Sequence, residues 1–509
     1  MLFLYDNLVA FSIFALTSAY AWIYGGIQAQ ALLPTIPWIT LIVSQVMICF
    51  PQRDLGESTY DARRRVWGNI RHDPLSLIVL AFSLLLMIPF FNTGLCPNCD
   101  YVAINILKQD PNPPIPFLPF CVNRAHHLTV VMWFVPSFLA LLATRHALLP
   151  RGKRFLVELI VWNGFALSLI GILQQATGAT APLWSTNKEM FKTSFYFFST
   201  FGYPNMAGDY FTTLFGLSLA CWRYHISYDD LIYSHHDRSG SHGRRFWRRH
   251  LFLIPAFLFF VSTYFTLSRA SIILCTTLAV IFCLHSFISA FSKLPKAKRF
   301  RFGVIGLVVI VLISGFSIAF MPLDVENEIK TLNTRVILDR VTGRGQYHAR
   351  VATEIWKENW AFGCGGWGYK HLCLSKMTPE ELKDIQNVGG INVHNDHLQF
   401  LAEHGLVGFA CLIAIFALLI APLYSYWKKA MVIVNFSKSK HRPPRPRAIF
   451  VIPAPTFFIL MTAIATIIHA FGDCPLRSPA VLSLFFISLA TMEGYFPTLN
   501  TSTSHKSNF

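Results

Sequence analysis

Long apolar runs limit the folds open to this 509-residue chain. About twelve runs of roughly 17–24 residues are long enough to cross the hydrocarbon core of a bilayer as helices. A composition of 53% hydrophobic and 14% charged residues also excludes an ordinary soluble globular protein. The sequence therefore predicts an all-α polytopic membrane protein with about twelve transmembrane helices. The runs lie near 8–28, 31–50, 75–91, 127–147, 155–175, 206–222, 251–267, 271–290, 303–321, 406–427, 448–471 and 480–496.

Lysine and arginine are unevenly distributed between the two sides of the membrane. If the N-terminus is cytoplasmic, the loops 51–74, 143–154, 223–250, 292–302 and 428–447 hold 5, 4, 6, 5 and 7 of them, and the tail adds Lys506. One face then carries 28 of the 43 basic residues, as expected for cytoplasmic loops. Both termini are predicted to be cytoplasmic. The net charge of +17 is mainly a topology signal and gives little reason to invoke nucleic acid.

The predicted organisation has four parts. Residues 1–321 hold transmembrane helices 1–9, 322–405 form a large outside loop, 406–496 hold helices 10–12, and 497–509 form a cytoplasmic tail. Within the loop, Tyr347, Val351 and Ile355 recur every four residues and predict an amphipathic helix over 345–358, with Gly363 as its stop. A capping box at 378–381 predicts a second short helix, so the loop is expected to be folded.

The stretch 394–408 carries ionisable side chains where a polar loop meets an apolar helix. As a helix, it places on one face His394, Leu398, Leu401, Gly405 and Gly408. Asn395 and Asp396 are plausible N-cap residues, and the positive end of the helix dipole disfavours an imidazolium there. A neutral His394 could therefore serve as a base. His397 and His404 are interpreted as structural.

Six cysteines fall in segments predicted to lie outside: Cys96, Cys99, Cys121, Cys364, Cys373 and Cys474. Disulfides among them are plausible in an oxidising compartment, although their connectivity cannot be deduced from sequence. The Cys96–Cys99 pair has redox-motif spacing but no thioredoxin-like strand and helix around it. A structural cystine is therefore favoured over free thiols, redox catalysis or zinc.

Two other outside features suggest a site. Arg269 sits at the outside end of two apolar helices, where a charge is costly without an anionic or polar partner, although snorkelling to headgroups is the alternative. Gln174 ends a predicted helix, and Asn205 lies in the glycine- and proline-rich segment 201–208. This segment either caps the next helix or lines a cavity.

Four motifs, which follow one another along the chain in the expected order, resemble the superfamily of bacterial O-antigen ligases, polymerases and O-oligosaccharyltransferases. The last of them closely resembles the ligase signature: His394-Asn395, nine residues, Gly405, two residues, Gly408. The others are 201–205, Ser268-Arg269, and 342–344 followed by 360–365. The resemblance covers roughly residues 160–495. Phe409 departs from the small polar residue common after the second glycine, and Trp360 stands where proline is usual.

The resemblance implies a GT-C-like membrane glycosyltransferase in a bacterial inner membrane, with its site facing the periplasm. It would transfer a glycan from undecaprenyl pyrophosphate to an acceptor, usually the lipid A core, and would invert the anomeric centre without metal, nucleotide or other cofactor. Arg269 and Arg344 would stabilise the diphosphate leaving group, and His394 would take the acceptor proton. Asn395 or Asp396 would orient the ring or the acceptor. The predicted substrate-binding set is Asn395, Asp396, Arg350, Asn205 and Gln174.

Three alternatives stay open. A polymerase or a protein O-oligosaccharyltransferase would share the donor and differ in the acceptor. A membrane transporter is the alternative from another class, but transporters usually place charged residues at mid-membrane. Here the suspect residues gather at one face, which favours an active site that opens to the surface.

Overall fold

The structure, a computed structural model, describes residues 2–26, 32–94, 112–185, 197–233, 250–293, 346–381, 392–438 and 451–497, with isolated positions between 304 and 315. Within these ranges it contains helices and only isolated β-bridges, which confirms the all-α class. The helices are α1 (Leu2–Trp22), α2 (Ile36–Cys49), α3 (Thr59–His72), α4 (Pro74–Phe91), α5 (Arg124–Leu142), α6 (Pro150–Ala176), α7 (Pro204–Tyr233), α8 (Leu253–Phe265), α9 (Arg269–Lys293), α10 (Gln346–Glu358), α11 (Gly368–Leu372), α12 (Asp396–Lys438), α13 (Ala454–His469) and α14 (Pro479–Thr491).

Every predicted apolar run within the described ranges coincides with a helix. The run at 303–321 lies outside them apart from the isolated positions. Among the described residues, five helical stretches are long and apolar enough to span a membrane: Pro74–Phe91, Arg124–Ala147, Pro150–Ala176, Arg269–Ser289 and Asp396–Met431. Shorter apolar helices include α2, α8 and α13. The chain is thus a multi-pass membrane protein, and the count of twelve spans stays a prediction.

The helix ends define two polar ends of the bundle. At one end, Arg145 pairs with Asp73 at 2.5 Å and with Glu493 at 3.2 Å, and Lys153 pairs with Glu493 at 3.0 Å. This end collects the start of α4, the end of α5 and the start of α6. The opposite end collects the end of α6, the starts of α7, α9 and α12, and the end of α13. Those termini carry most of the predicted site residues.

Close packing brings the start of α7 against the start of α9. A Cβ on Gly208 would lie 2.8 Å from the Cβ of Ser268 and 2.6 Å from that of Ser271, so only glycine fits at this crossing. Small residues let the backbones of membrane helices approach in this way. The crossing brings the segment before α7 next to the segment before α9.

The described part of the predicted outside loop contributes to a small hydrophobic core. Val351 and Ile355 on α10 are fully buried in it, together with residues from α11, the start of α12 and the segment 120–122. This confirms the amphipathic helix. The capping box is present, because the Thr378 N–H donates to Glu381 Oε2 at 2.8 Å and the Glu381 N–H to Thr378 Oγ1 at 3.3 Å. Gly363 is not the stop of α10, which ends at Glu358.

Helix α12 is interrupted at Gly405, which has φ 64° and ψ −173°. The N–H groups of Leu406 and Val407 donate to the carbonyls of Trp360 and Ala361 at 2.8 and 3.0 Å. In a continuous helix, these two N–H groups would donate to the carbonyls of Ala402 and Glu403. Those carbonyls instead accept hydrogen bonds from the Cys364 N–H at 3.1 Å and the Gly365 N–H at 2.8 Å. The break therefore exchanges two intrahelical hydrogen bonds for four that clamp the 360–365 motif onto α12.

Two further sequence expectations are wrong. His394 is not on the face of the helix, because α12 begins at Asp396 and His394 has a left-handed φ of 53°. The four described outside cysteines form no disulfide. Their thiols instead face oxygen acceptors: Pro89 O for Cys121, Ala402 O for Cys364, Lys370 O for Cys373 and the Asp473 carboxylate for Cys474. Cys96 and Cys99 lie outside the described residues.

Candidate active site

Asp473, in the turn between α13 and α14, is the centre of the polar cluster at this end of the bundle. Its side chain is 5% exposed. The carboxylate accepts hydrogen bonds from the Tyr203 hydroxyl at 3.0 Å, from the Asn205 amide, and from the Cys474 N–H at 2.8 Å. The first two donors lie at the start of α7, and the third directly follows Asp473 in the chain. Together the three donors hold the carboxylate in one orientation.

His394 lies against this carboxylate, with Nδ1 3.3 Å from Asp473 Oδ1. Its side chain is 15% exposed, so the ring is partly open to the outside. A carboxylate can only accept, so this contact places the ring hydrogen on Nδ1 and the lone pair on Nε2. Asp473 therefore orients the imidazole, and an orienting role of Asn395 or Asp396 stays a prediction.

Asn395 and Asp396 are buried and make structural contacts. The Asn395 side-chain oxygen accepts from the Leu398 N–H at 3.0 Å, which confirms it as the N-cap of α12. The Asp396 carboxylate accepts from the Leu476 N–H at 2.8 Å and lies 3.8 Å from Nε of Arg477. Together they anchor the start of α12 on the turn that carries Asp473. Contact of either residue with a substrate stays a prediction.

Asn205 extends the cluster to a third motif. Its side-chain oxygen accepts a hydrogen bond from the Ser268 hydroxyl at 2.6 Å. Arg269, the next residue, is half-buried and opens α9. Side-chain contacts therefore run continuously from His394 through Asp473 and Asn205 to the residue before Arg269. Arg344 lies outside the described residues.

Residues 254–413 match the family model described as O-Antigen ligase. The match supports the resemblance to the O-antigen ligase family over that segment, which is less than half of the chain. The matched segment contains Arg269 and His394, whereas Asn205 and Asp473 lie outside it and reach the site through the fold. In coarse terms, the match supports ligase- or polymerase-type activity. Among curated proteins, no significant match was found.

The remaining two predicted substrate-binding residues differ in environment. Gln174 is buried, and neither atom of its side-chain amide has a hydrogen-bond partner among the described residues. A buried unsatisfied amide is unusual and is compatible with site lining. Arg350 is exposed and pairs with Glu354 at 2.8 Å and Glu381 at 2.7 Å, so it ties α10 to the capping box. Its contact with substrate stays a prediction.

Sequence reasoning missed Asp473 and Tyr203, and also His348. Asp473 had one signal: it is an acidic residue at the outside end of the penultimate apolar run. His348 Nδ1 lies 2.8 Å from the Tyr369 hydroxyl. Burial, and then the neighbouring His394, lower the pKa of His348 to about 4. His348 is therefore neutral at ordinary pH and adds no charge beside the candidate base.

An apolar cavity of about 290 Å³ adjoins the site. Asp396 and His397 line it at the start of α12, and Glu403 and Arg477, which pair at 2.6 Å, also face it. The rest of the lining is mainly aromatic and aliphatic: Val130, Trp133, Phe134, Phe400, Phe409, Leu412, Ile413, Phe416, Ile467, Leu476, Leu482, Phe485 and Phe486. The cavity can accept part of an apolar chain next to the polar cluster.

Three residues of the cluster could hold a metal ion. His394, Asp473 and Cys474 offer a nitrogen, an oxygen and a sulfur ligand atom, all within 4.8 Å of one another. Burial raises the pKa of the Cys474 thiol well above its usual range, and the neighbouring Asp473 raises it further, so the thiol is protonated and donates to Asp473.

Proposed function

We propose that this protein is an inverting, metal-independent glycosyltransferase of the inner membrane. It transfers a glycan from undecaprenyl pyrophosphate to an acceptor hydroxyl at the periplasmic face, with the lipid A core as the first-choice acceptor. One observation carries the proposal: an imidazole paired with a buried carboxylate is linked by hydrogen bonds to the segment that carries Arg269.

His394 acts as the general base in this proposal. Asp473 holds Nδ1–H, so Nε2 can accept the proton of the acceptor hydroxyl as its oxygen attacks the anomeric carbon. The bond between that carbon and the diphosphate oxygen breaks, and the diphosphate leaves with the electron pair. A single displacement of this kind inverts the anomeric configuration.

Arg269 stabilises the leaving diphosphate. A guanidinium group pairs with phosphate oxygens in a bidentate manner and needs no proton transfer to neutralise the developing charge. Arg269 is also the first residue of α9, so the positive end of the helix dipole adds to the positive charge of its guanidinium group. Arg344 stays the predicted second cation. The adjoining apolar cavity supports a lipid-linked substrate, because it offers the first isoprene units a place beside the polar cluster.

Replacing Asp473 by asparagine should lower the transfer rate by about 10²–10⁴-fold. An asparagine amide can donate to Nδ1 and thereby favour the ring tautomer with hydrogen on Nε2, which cannot act as a base. Initial rates with a purified, reconstituted protein would measure the effect. Asp473→Glu keeps a carboxylate and should recover part of the activity. An asparagine variant as fast as wild type would contradict the orienting role.

Replacing Arg269 by alanine should lower the transfer rate by about 10²–10³-fold, because the leaving-group charge loses one positioned cation. Arg124→Ala is the matched control. Arg124 also opens an apolar helix at this end of the bundle, but it contacts Thr93 and Phe90 rather than the Asp473 cluster. Rates measured at saturating donor should separate the two variants, and equal losses would contradict a specific diphosphate contact.

Reconstitution with a defined lipid-diphosphate glycan and a choice of acceptors tests the whole proposal. Transfer to the lipid A core supports ligation, elongation of the lipid-linked glycan supports polymerisation, and a glycosylated protein supports O-oligosaccharyl transfer. Movement of the intact donor without cleavage would favour a transporter and overturn the enzymatic assignment. Nuclear magnetic resonance of the product should show an inverted anomeric configuration.

A further inference from the structure

Two of the three distances in the His394, Asp473 and Cys474 cluster already suit a tetrahedral zinc ion. Oδ1 of Asp473 lies 3.3 Å from Nδ1 of His394 and 3.3 Å from Sγ of Cys474. Zinc bonded at its usual distances to nitrogen, oxygen and sulfur holds those atoms about 3.3–3.6 Å apart. The third separation, from nitrogen to sulfur, is at most 4.8 Å, so a shift of about 1 Å completes the set.

A metal would replace two hydrogen bonds of the Asp473 carboxylate, a long one from an imidazole and one from a thiol, which is a weak donor. The contact between His394 Nδ1 and Asp473 Oδ1, at 3.3 Å, exceeds the about 2.7–2.9 Å of a good charge-assisted hydrogen bond, whereas the thiol contact of Cys474 has an ordinary length for the larger sulfur atom. The Tyr203 hydroxyl, the Asn205 amide and the Cys474 N–H would remain to hold the carboxylate in place. Outer contacts of this kind orient metal ligands. The partly exposed His394 gives an ion access from outside.

We propose that Zn²⁺ binds His394 Nδ1, the Asp473 carboxylate and Cys474 Sγ as an inhibitor, not as a cofactor. Nitrogen and sulfur ligands favour zinc over Mg²⁺ or Ca²⁺. The Cys474 thiol releases its proton to solvent, and the thiolate and the carboxylate neutralise the ion. The imidazole hydrogen moves from Nδ1 to Nε2, so Nε2 can no longer take the acceptor proton. Binding stands on the cluster alone, whereas inhibition rests on the proposed function.

Metal titration of the purified full-length protein in detergent tests the binding. Competition with a chromophoric chelator should give about one tight Zn²⁺ site per chain, and Co²⁺ should show a thiolate-to-cobalt charge-transfer absorption. Cys474→Ser should remove that absorption and weaken Zn²⁺ binding at least about tenfold. Cys364→Ser is the matched control, because Cys364 is another buried thiol of the outside region, and a serine there keeps the Ala402 carbonyl as acceptor.

The two parts of the inference fail separately. No cobalt–thiolate absorption in wild type, or equal binding in Cys474→Ser, overturns the site whether or not glycan transfer is found. The inhibition part uses the rate with Zn²⁺ divided by the rate without it, for each variant. Zn²⁺ should inhibit wild type and Cys364→Ser, and inhibit Cys474→Ser at least about tenfold less effectively. Wild-type protein that binds Zn²⁺ and transfers glycan at full rate overturns the inhibitory role.

Discussion

Replacing His394 by alanine should lower the glycan-transfer rate by about 10²–10⁴-fold while the protein still accumulates in the membrane. The ring contacts the Asp473 carboxylate and is partly exposed, so its loss removes the proposed base and little packing. Initial rates with a lipid-diphosphate glycan, normalised to the amount of folded protein, measure the effect. His394→Gln should lose as much, because an amide forms hydrogen bonds but does not accept a proton at ordinary pH.

His397→Gln is the matched control for this prediction. His397 lies three residues away, and its Nε2–H donates to the Ile467 carbonyl at 3.2 Å, a bond that a glutamine amide can also make. Its ring packs 4.2 Å from that of Phe471. Because His397 also lines the cavity proposed for the isoprenoid, the control should keep most of the wild-type rate at saturating donor, with any loss confined to donor binding. A His394 variant with wild-type turnover, or two variants with equal losses, would rule out His394 as the base.

Replacing Gly405 by alanine should destabilise the protein by about 3 kcal/mol, because the φ and ψ of this residue lie in a region that is essentially restricted to glycine. A Cβ there would also sit 2.3 Å from the Ala361 carbonyl oxygen. This clash would disrupt the four hydrogen bonds that hold the 360–365 segment against α12. A lower midpoint of thermal unfolding in detergent and reduced membrane accumulation are the expected results.

Two other glycines separate the causes of that loss. Gly178 also has a left-handed φ, of 62°, but a Cβ there meets nothing within 4 Å, so Gly178→Ala reports backbone strain alone. Gly68 lies within α3, again with nothing within 4 Å, and its replacement should be neutral or slightly stabilising. Gly405→Ala should be the most destabilising of the three. A thermal midpoint equal to that of Gly68→Ala would mean that the clamp contributes little.

Local patterns were sufficient for much of the fold. Apolar runs predicted helices because a bilayer requires internally satisfied backbones of a set length, and every run within the described residues is helical. The four-residue spacing of Val351 and Ile355 and the capping box at 378–381 were likewise correct, since both depend on contacts within one or two turns. The same local logic failed at His394 and Gly405, where hydrogen bonds to distant segments override the helical pattern.

By itself, the sequence determined the helical membrane class, the resemblance to the family, and His394 and Arg269 as candidate residues. Only the tertiary structure decided which side chain orients the imidazole. Asp473 is 79 positions from His394 and 268 from Asn205, and such pairings depend on how helix ends meet rather than on any local period. The same holds for the cysteines, because packing gave each described outside thiol an oxygen acceptor in place of a second sulfur.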